Sequence, residues 1–127
     1  MSLVLVVDDV PTLAHQYAYD LKRIGGYEVI TAGNGKQALD LLSGAAVDCM
    51  ILDLEMPGMD GFEVLRALEQ QGNEVPVLVY TGTGNYERCI QAIRLGAYGF
   101  IDKAEPMERV VNEVATVLER KPAPAAG

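Results

Sequence analysis

Long apolar runs are missing from this sequence of 127 residues. The longest are residues 3–7 and 75–80, and Pro76 interrupts the second. Both are far shorter than the roughly 20 residues that a membrane-spanning helix needs. No charged start followed by a long apolar core marks a secretory signal. We therefore expect a soluble protein of the cytoplasm.

Cysteine and histidine are scarce. Cys49 and Cys89 do not have a metal-binding spacing, and both fall within apolar patterns, so we expect buried free thiols. His15 is the single histidine, and no nucleophile pattern accompanies it. We expect His15 to be a surface residue rather than a catalytic base.

Basic residues are a minority. Ten lysines and arginines stand against 18 aspartates and glutamates, which gives a formal net charge of -8. Such a balance repels phosphate backbones and anionic lipid surfaces. Direct binding of nucleic acid or of a membrane by this domain is therefore not expected.

What the sequence does contain is an alternation of short apolar runs with segments of helical period, and half of its residues are hydrophobic. Runs that are apolar on both faces are typical of a parallel sheet covered by helices on both sides. The predicted strands are 3–7, 29–32, 49–52, 75–80 and 98–101, and the predicted helices are 11–24, 35–42, 61–70, 86–95 and 106–118.

These elements predict an α/β fold, a doubly wound five-stranded parallel sheet of order 2-1-3-4-5 with five helices, as in flavodoxin-like proteins. We expect one domain over residues 1–120. Residues 121–127 are rich in proline and alanine and are interpreted as a linker or tail that leads to an output domain.

Ligands of open α/β sheets gather beyond the carboxyl ends of the strands. In this sequence the ends of four predicted strands carry polar groups, and in the predicted order those strands are neighbours. The residues concerned are Asp8, Asp9, Asp53, Thr81, Gly82, Asp102 and Lys103.

Converging carboxylates repel one another unless a cation lies between them. Carboxylate oxygens, a backbone carbonyl and waters form the ligand set that Mg²⁺ prefers. Lys103 supplies a fixed positive charge, while Thr81 and the Gly82 amide offer hydrogen-bond donors. The space between such groups suits a phosphoryl group, whose transfer depends on positioning and charge neutralisation.

Four motifs in order resemble the receiver domain of two-component response regulators, the CheY-like family. They are the segments VVDD, LDLEMPGMDG, VPVLVYTG and GAYGFIDK, and the resemblance covers residues 3 to about 119. It implies a bacterial-type signalling domain that accepts a phosphoryl group from the phosphohistidine of a histidine kinase or phosphotransfer protein. The domain would not be an enzyme beyond its own phosphoryl transfer and autodephosphorylation.

The resemblance also implies a role for each site residue. Asp53 would be the phosphoacceptor, and Lys103 would pair with a phosphoryl oxygen. Thr81 and Phe100 would act as the switch pair, and the Gly82 amide would contact the phosphoryl group. Mg²⁺, for which Mn²⁺ can substitute, would be bound directly by the side chains of Asp9 and Asp53 and by the backbone carbonyl of Glu55, while Asp8 would hold waters of the metal.

Phosphorylation would then change the face formed by helix 4, strand 5 and helix 5, which would control an output domain or partner protein. A phosphorylation-dependent dimer is compatible with the resemblance. The residues two positions beyond the acceptor and the switch hydroxyl, Glu55 and Thr83, would tune the lifetime of the phosphoryl group. The sequence departs from the family where Ala104 follows Lys103, a position at which proline is frequent, so the turn after strand 5 is expected to differ.

The acidic residues and the fold also allow other interpretations. Asp8 and Asp9 could cap the first helix, and Asp60 followed by Glu63 has the pattern of a capping box on the third. The segment 53–55 superficially fits haloacid-dehalogenase-type phosphatases, although their nucleophile follows the first strand and their substrate cap is missing here. A flavodoxin-like cofactor binder and a phosphorylation-independent interaction module are further alternatives.

Overall fold

A computed structural model of the chain describes residues 1–56, 58–82 and 86–120. Strands and helices alternate throughout. The strands are β1 (Leu3–Val7), β2 (Glu28–Ala32), β3 (Cys49–Asp53), β4 (Val77–Thr81) and β5 (Gly99–Asp102). The helices are α1 (Pro11–Gly25), α2 (Gly35–Gly44), α3 (Gly61–Gln71), α4 (Tyr86–Arg94) and α5 (Met107–Arg120).

The strands form one parallel sheet in the order β2-β1-β3-β4-β5. This is the predicted flavodoxin-like arrangement, which is confirmed. The predicted tail 121–127 lies outside the described residues, so its interpretation as a linker stays a prediction.

Two apolar cores cover the sheet, one on each face. Side chains of α2, α3 and α4 pack on one face, which we call the α4 face, and those of α1 and α5 pack on the other, which we call the α1/α5 face. Along β1, Leu5 and Val7 point into the first core, while Val4 and Val6 point into the second. Burial on both faces is the reason that the strands read as unbroken apolar runs.

The start of β4 differs from the prediction. The strand begins at Val77 rather than at residue 75, because Pro76 has no N–H to donate to a neighbouring strand. Pro76 takes part only as an acceptor, since the Met50 N–H donates to its carbonyl at 2.9 Å. The other element ends agree with the predictions to within two residues.

The first turns of α1 and α3 show which acidic residues are helix caps and which are not. Asp60 caps α3 in a capping box with Glu63, as predicted. At α1 the N-cap residue is Val10, which makes no side-chain cap bond, and Pro11 occupies the first turn. The alternative that Asp8 and Asp9 cap α1 is therefore wrong.

The turn after β5 is built on Asp102. Its side chain accepts the Ala104 N–H at 2.8 Å, and its carbonyl accepts the Glu105 N–H at 2.9 Å. A proline at position 104 could not donate the first of these bonds. The turn thus depends on the residue by which this chain departs from the common pattern.

The minor predictions from scarce residues also hold. Cys49 and Cys89 are buried free thiols, and burial raises the pKa of Cys49 to about 12. His15 is exposed on α1. Within the described ranges, no helix is both long and apolar enough to cross a membrane.

Candidate functional site

Strand register places two acids side by side at the carboxyl edge of the sheet. Val7 of β1 pairs with Leu52 of β3, so the next residues, Asp8 and Asp53, are neighbours. Asp53 in turn pairs with Tyr80 of β4. Because side chains alternate along a strand, all three belong to the α1/α5 face. Asp8, Asp53 and Tyr80 are each at most 1% exposed.

Asp9 completes an acidic cluster with this pair. One carboxylate oxygen from each of Asp8, Asp9 and Asp53 lies within 4.8 Å of the others. Three negative charges this close favour a bound cation. The donor set consists of oxygen ligands alone, which fits Mg²⁺ and does not fit a metal that prefers sulfur or nitrogen ligands.

Asp53 is held by two donors. The Glu55 N–H donates to Oδ1 at 2.9 Å, and the Lys103 ammonium lies 3.3 Å from Oδ2. Burial raises the pKa of Asp53, and the negative charge of Asp8 acts in the same direction. The Glu55 amide and Lys103 oppose that rise without cancelling it. Asp53 is thus a buried carboxylate with one fixed cationic partner.

Lys103 reaches the acids from the far side of β4. Its backbone N–H donates to the Thr81 carbonyl at 2.9 Å, which fixes the start of the turn after β5. Its ammonium group lies 5.2 Å from the centroid of the Tyr80 ring, within the range of a cation–π contact. The structure therefore brings the predicted lysine to the predicted acceptor.

Thr81 and Phe100 lie on the opposite face of the sheet. Register pairs Phe100 with Val79, two residues before Thr81, so both side chains belong to the α4 face. Thr81 Oγ1 donates to the Glu55 carboxylate at 2.6 Å. Phe100 is 39% exposed and meets the Tyr86 ring edge-on, with centroids 6.1 Å apart.

Three further residues were predicted to act at the site, namely Gly82, Glu55 and Thr83. Gly82 follows β4 directly and is half-buried. The Glu55 side chain is exposed and its oxygen accepts from Thr81, a contact that was not predicted. The predicted roles of Glu55, a metal ligand through its backbone carbonyl and a residue that tunes the phosphoryl lifetime, stay predictions. Thr83 lies outside the described residues, so its suggested role stays a prediction.

Sequence reasoning missed Tyr80. Its hydroxyl donates a hydrogen bond to Asp8 Oδ2, and burial together with this bond raises its pKa well above the usual range. The neighbouring Tyr17, to which no role was given, packs its ring 5.2 Å from that of Tyr80, and burial raises its pKa to about 12. Alternation along β4 could have shown that Tyr80 shares a face with the acids.

Comparison with known proteins settles the family. The chain matches the response regulator receiver domain family over residues 4–115. The chain therefore belongs to the family of response regulator receiver domains, which confirms the resemblance read from its motifs. Membership of this family supports a phosphoacceptor signalling role in two-component systems.

Curated relatives and solved structures agree with this assignment. The chain is 34% identical over 91% of its length to the C4-dicarboxylate transport transcriptional regulatory protein DctD of Pseudomonas aeruginosa, covering 25% of that protein. It is 32% identical over 92% of its length to the response regulator MprA of Mycolicibacterium vanbaalenii, covering 50% of that protein. The receiver domain of NtrX from Brucella abortus superposes with a TM-score of 0.85 at 34% identity, covering 91% of this chain and 98% of that domain.

The chain spans a quarter to a half of the length of these two curated relatives. Their names describe a transcriptional regulatory protein and a response regulator, each of which is longer than the receiver domain alone.

Proposed function

We propose that Asp53 accepts a phosphoryl group from the phosphohistidine of a histidine kinase or of a phosphotransfer protein. The observation that carries the proposal is the position of the Asp53 carboxylate. It is buried at the carboxyl edge of the sheet, 3.3 Å from the Lys103 ammonium and within 4.8 Å of oxygens of Asp8 and Asp9.

In the proposed step a carboxylate oxygen of Asp53 attacks phosphorus and forms a P–O bond. The P–N bond of the phosphohistidine breaks, and its electron pair stays on the imidazole nitrogen. Lys103 neutralises charge on a phosphoryl oxygen, and the Gly82 amide donates to another. The catalytic contribution is mostly positioning and electrostatics, as is general for phosphoryl transfer.

The acidic cluster would hold Mg²⁺, with Mn²⁺ as a substitute. Its direct ligands would be the carboxylates of Asp9 and Asp53 together with the Glu55 backbone carbonyl, and Asp8 would hold its waters. When bound, the cation neutralises negative charge that develops on the transferring group. The Asp53 and Asp8 carboxylates, which repel each other without it, then share a positive partner.

The response would involve the surface formed by α4, β5 and α5. Thr81 Oγ1, which now donates to Glu55, would turn toward the phosphoryl group, and Phe100 would leave its exposed position beside Tyr86 and turn inward. Such a change shifts a two-state equilibrium of α4, β5 and α5, which would engage an output domain or a partner protein. The exposed apolar residues already on this face support its role as a docking surface; they are Tyr86, Ile90, Ile93 and Phe100.

The first test is labelling of the protein by acetyl phosphate with Mg²⁺. The wild type should gain one base-labile phosphoryl group, detected by intact mass, and Asp53→Asn should gain none. Asp60→Asn is the matched control, because it makes the same change seven residues further along the chain, at the N-cap of α3, where asparagine is also a good cap. A stable phosphoryl adduct in Asp53→Asn would refute the assignment.

The second test separates this function from that of a phosphatase. A chromogenic phosphate ester incubated with the protein and Mg²⁺ should release product beyond the first equivalent no faster than the phosphorylated protein loses its phosphoryl group, a rate measured separately on the labelled domain. Turnover faster than that loss would refute the receiver function. We propose that the domain acts in the cytoplasm and does not itself contact nucleic acid, in keeping with its net charge of -8.

A further inference from the structure

Tyr80 connects the two charged parts of the site. Its hydroxyl donates to Asp8 Oδ2, and the face of its ring lies 5.2 Å from the Lys103 ammonium. It also pairs across the sheet with Asp53. One side chain thus contacts the acid at one end of the site and the lysine at the other.

The hydroxyl completes the anchoring of Asp8. Asp8 Oδ1 accepts the Val10 N–H at 2.9 Å, and Oδ2 accepts the Tyr80 hydroxyl. Each oxygen of this buried carboxylate therefore has a fixed protein donor. Two donors on opposite oxygens define the plane of the carboxylate, and each oxygen retains a further lone pair for a cation or its water.

Packing in turn holds the Tyr80 ring. Tyr80 is 1% exposed, and the ring of Tyr17 lies 5.2 Å away at an interplanar angle of 35°. Among the described residues, the Tyr17 hydroxyl is buried and has no hydrogen-bond partner. Two neighbouring tyrosines therefore share one core but differ in whether the hydroxyl touches the acids.

We infer that Tyr80 is a positioning residue of the cation site, which sets the orientation of the Asp8 carboxylate through its hydroxyl. The inference rests on the proposed function, because it presumes that the acids hold Mg²⁺. Groups that hydrogen-bond to the ligands of a metal fix their orientation, and their removal typically weakens metal binding about 10–100-fold.

The test measures metal affinity rather than activity. Free Mn²⁺ is followed by electron paramagnetic resonance during titration of the full chain, and Mg²⁺ affinity is obtained by competition. Tyr80→Phe keeps the ring and its contact with Lys103 but removes the hydroxyl, and should weaken both affinities about tenfold. Tyr17→Phe is the matched control and should change them less than twofold, because its hydroxyl has no partner among the described residues.

The outcomes are distinct. Unchanged or tighter binding by Tyr80→Phe, or an equal loss in Tyr17→Phe, would overturn the positioning role while leaving the proposed function intact. A wild type that binds neither cation would overturn the proposed cation site and this inference with it. A merely structural role predicts lower melting temperatures in both variants with chelator present, and no difference in affinity.

A measurement on the wild type covers the case in which Tyr80→Phe does not fold. A buried phenolic proton that is bonded to a carboxylate exchanges slowly with water and gives a resolved proton NMR signal. We expect the Tyr80 signal to persist and shift at saturating Mg²⁺. Loss of that signal on Mg²⁺ addition would show that the cation displaces the hydroxyl from Asp8, and would overturn the inference.

Discussion

The two faces of the sheet differ sharply where they meet the site. On the α1/α5 face, Asp8, Asp53 and Tyr80 are at most 1% exposed, and each has a hydrogen-bond partner. On the α4 face, Phe100 is 39% exposed and Tyr86 is 53% exposed. The α1/α5 face holds the buried acids in place, whereas the α4 face holds Thr81 and also presents apolar side chains to solvent.

The difference follows from the physics of burial. A buried carboxylate without a partner is costly, so the groups that would do chemistry must be held by fixed donors. An exposed aromatic ring loses little when it changes rotamer, because few contacts hold it in place. We therefore expect chemistry and response to be separable by mutation on the two faces.

The largest effect on stability should come from Ile101 on β5, and its neighbour Phe100 serves as the comparison. Ile101 is fully buried, whereas Phe100 is partly exposed. Ile101→Ala should lower the free energy of unfolding by about 2–5 kcal/mol, and Phe100→Ala by about 1 kcal/mol or less, as for a surface position. Urea denaturation measures both, and equal losses would show that Phe100 is packed as tightly as Ile101.

Lys103→Met should break the fixed site without unfolding it. The variant keeps a long side chain but removes the cation that lies 3.3 Å from Asp53. Labelling by acetyl phosphate should slow about a hundredfold, the order of loss found when one preorganised donor to the developing charge is removed. Lys36→Met, at an exposed position on α2, is the control. Equal rates in the two variants would contradict a role for Lys103.

Gly61→Ala tests how closely the fixed site is packed. A Cβ at this position would lie 2.8 Å from the Asp53 carbonyl oxygen and 2.9 Å from the Leu54 Cα, both of which are backbone atoms. We expect a loss of about 1–3 kcal/mol in the free energy of unfolding. Gly44→Ala has open space around the new methyl group and should be neutral or stabilising by up to about 1 kcal/mol. A neutral Gly61→Ala would contradict this packing.

The smallest effect concerns pH. Burial raises the pKa of Asp53, so the folded state binds this proton more tightly than the unfolded state, whose aspartate titrates near 3.8. Stability is then lost as pH rises from that value through the folded pKa. With chelator present, Asp53→Asn should be more stable than the wild type at neutral pH, and its advantage should vanish below pH 3.8.

Asp20→Asn is the control for the pH series. Asp20 pairs with Arg23 on the surface of α1, and such exposed pairs contribute little. Its difference from the wild type should stay within about 0.5 kcal/mol across the range. An Asp53→Asn variant whose advantage over the wild type grows toward low pH would reverse the sign and contradict the raised pKa of Asp53.

Much of the fold was predictable because local patterns and burial agree. Unbroken apolar runs indicated strands covered on both faces, and Asp60 with Glu63 indicated the start of α3. The start of β4 was placed too early, since the apolar pattern of residues 75–80 outweighed the missing N–H of Pro76. The sequence pattern did not show which of these two effects would fix the first residue of the strand.

The sequence by itself determined the element order, the family and the polar residues that follow the strands, because these depend on periodicity and on motifs that are local in the chain. Only the tertiary structure decided which side chains meet. Tyr80 and Asp8 are 72 residues apart, and Thr81 and Glu55 are 26 apart. Such contacts arise from strand register and side-chain alternation, which place distant residues at one edge of the sheet.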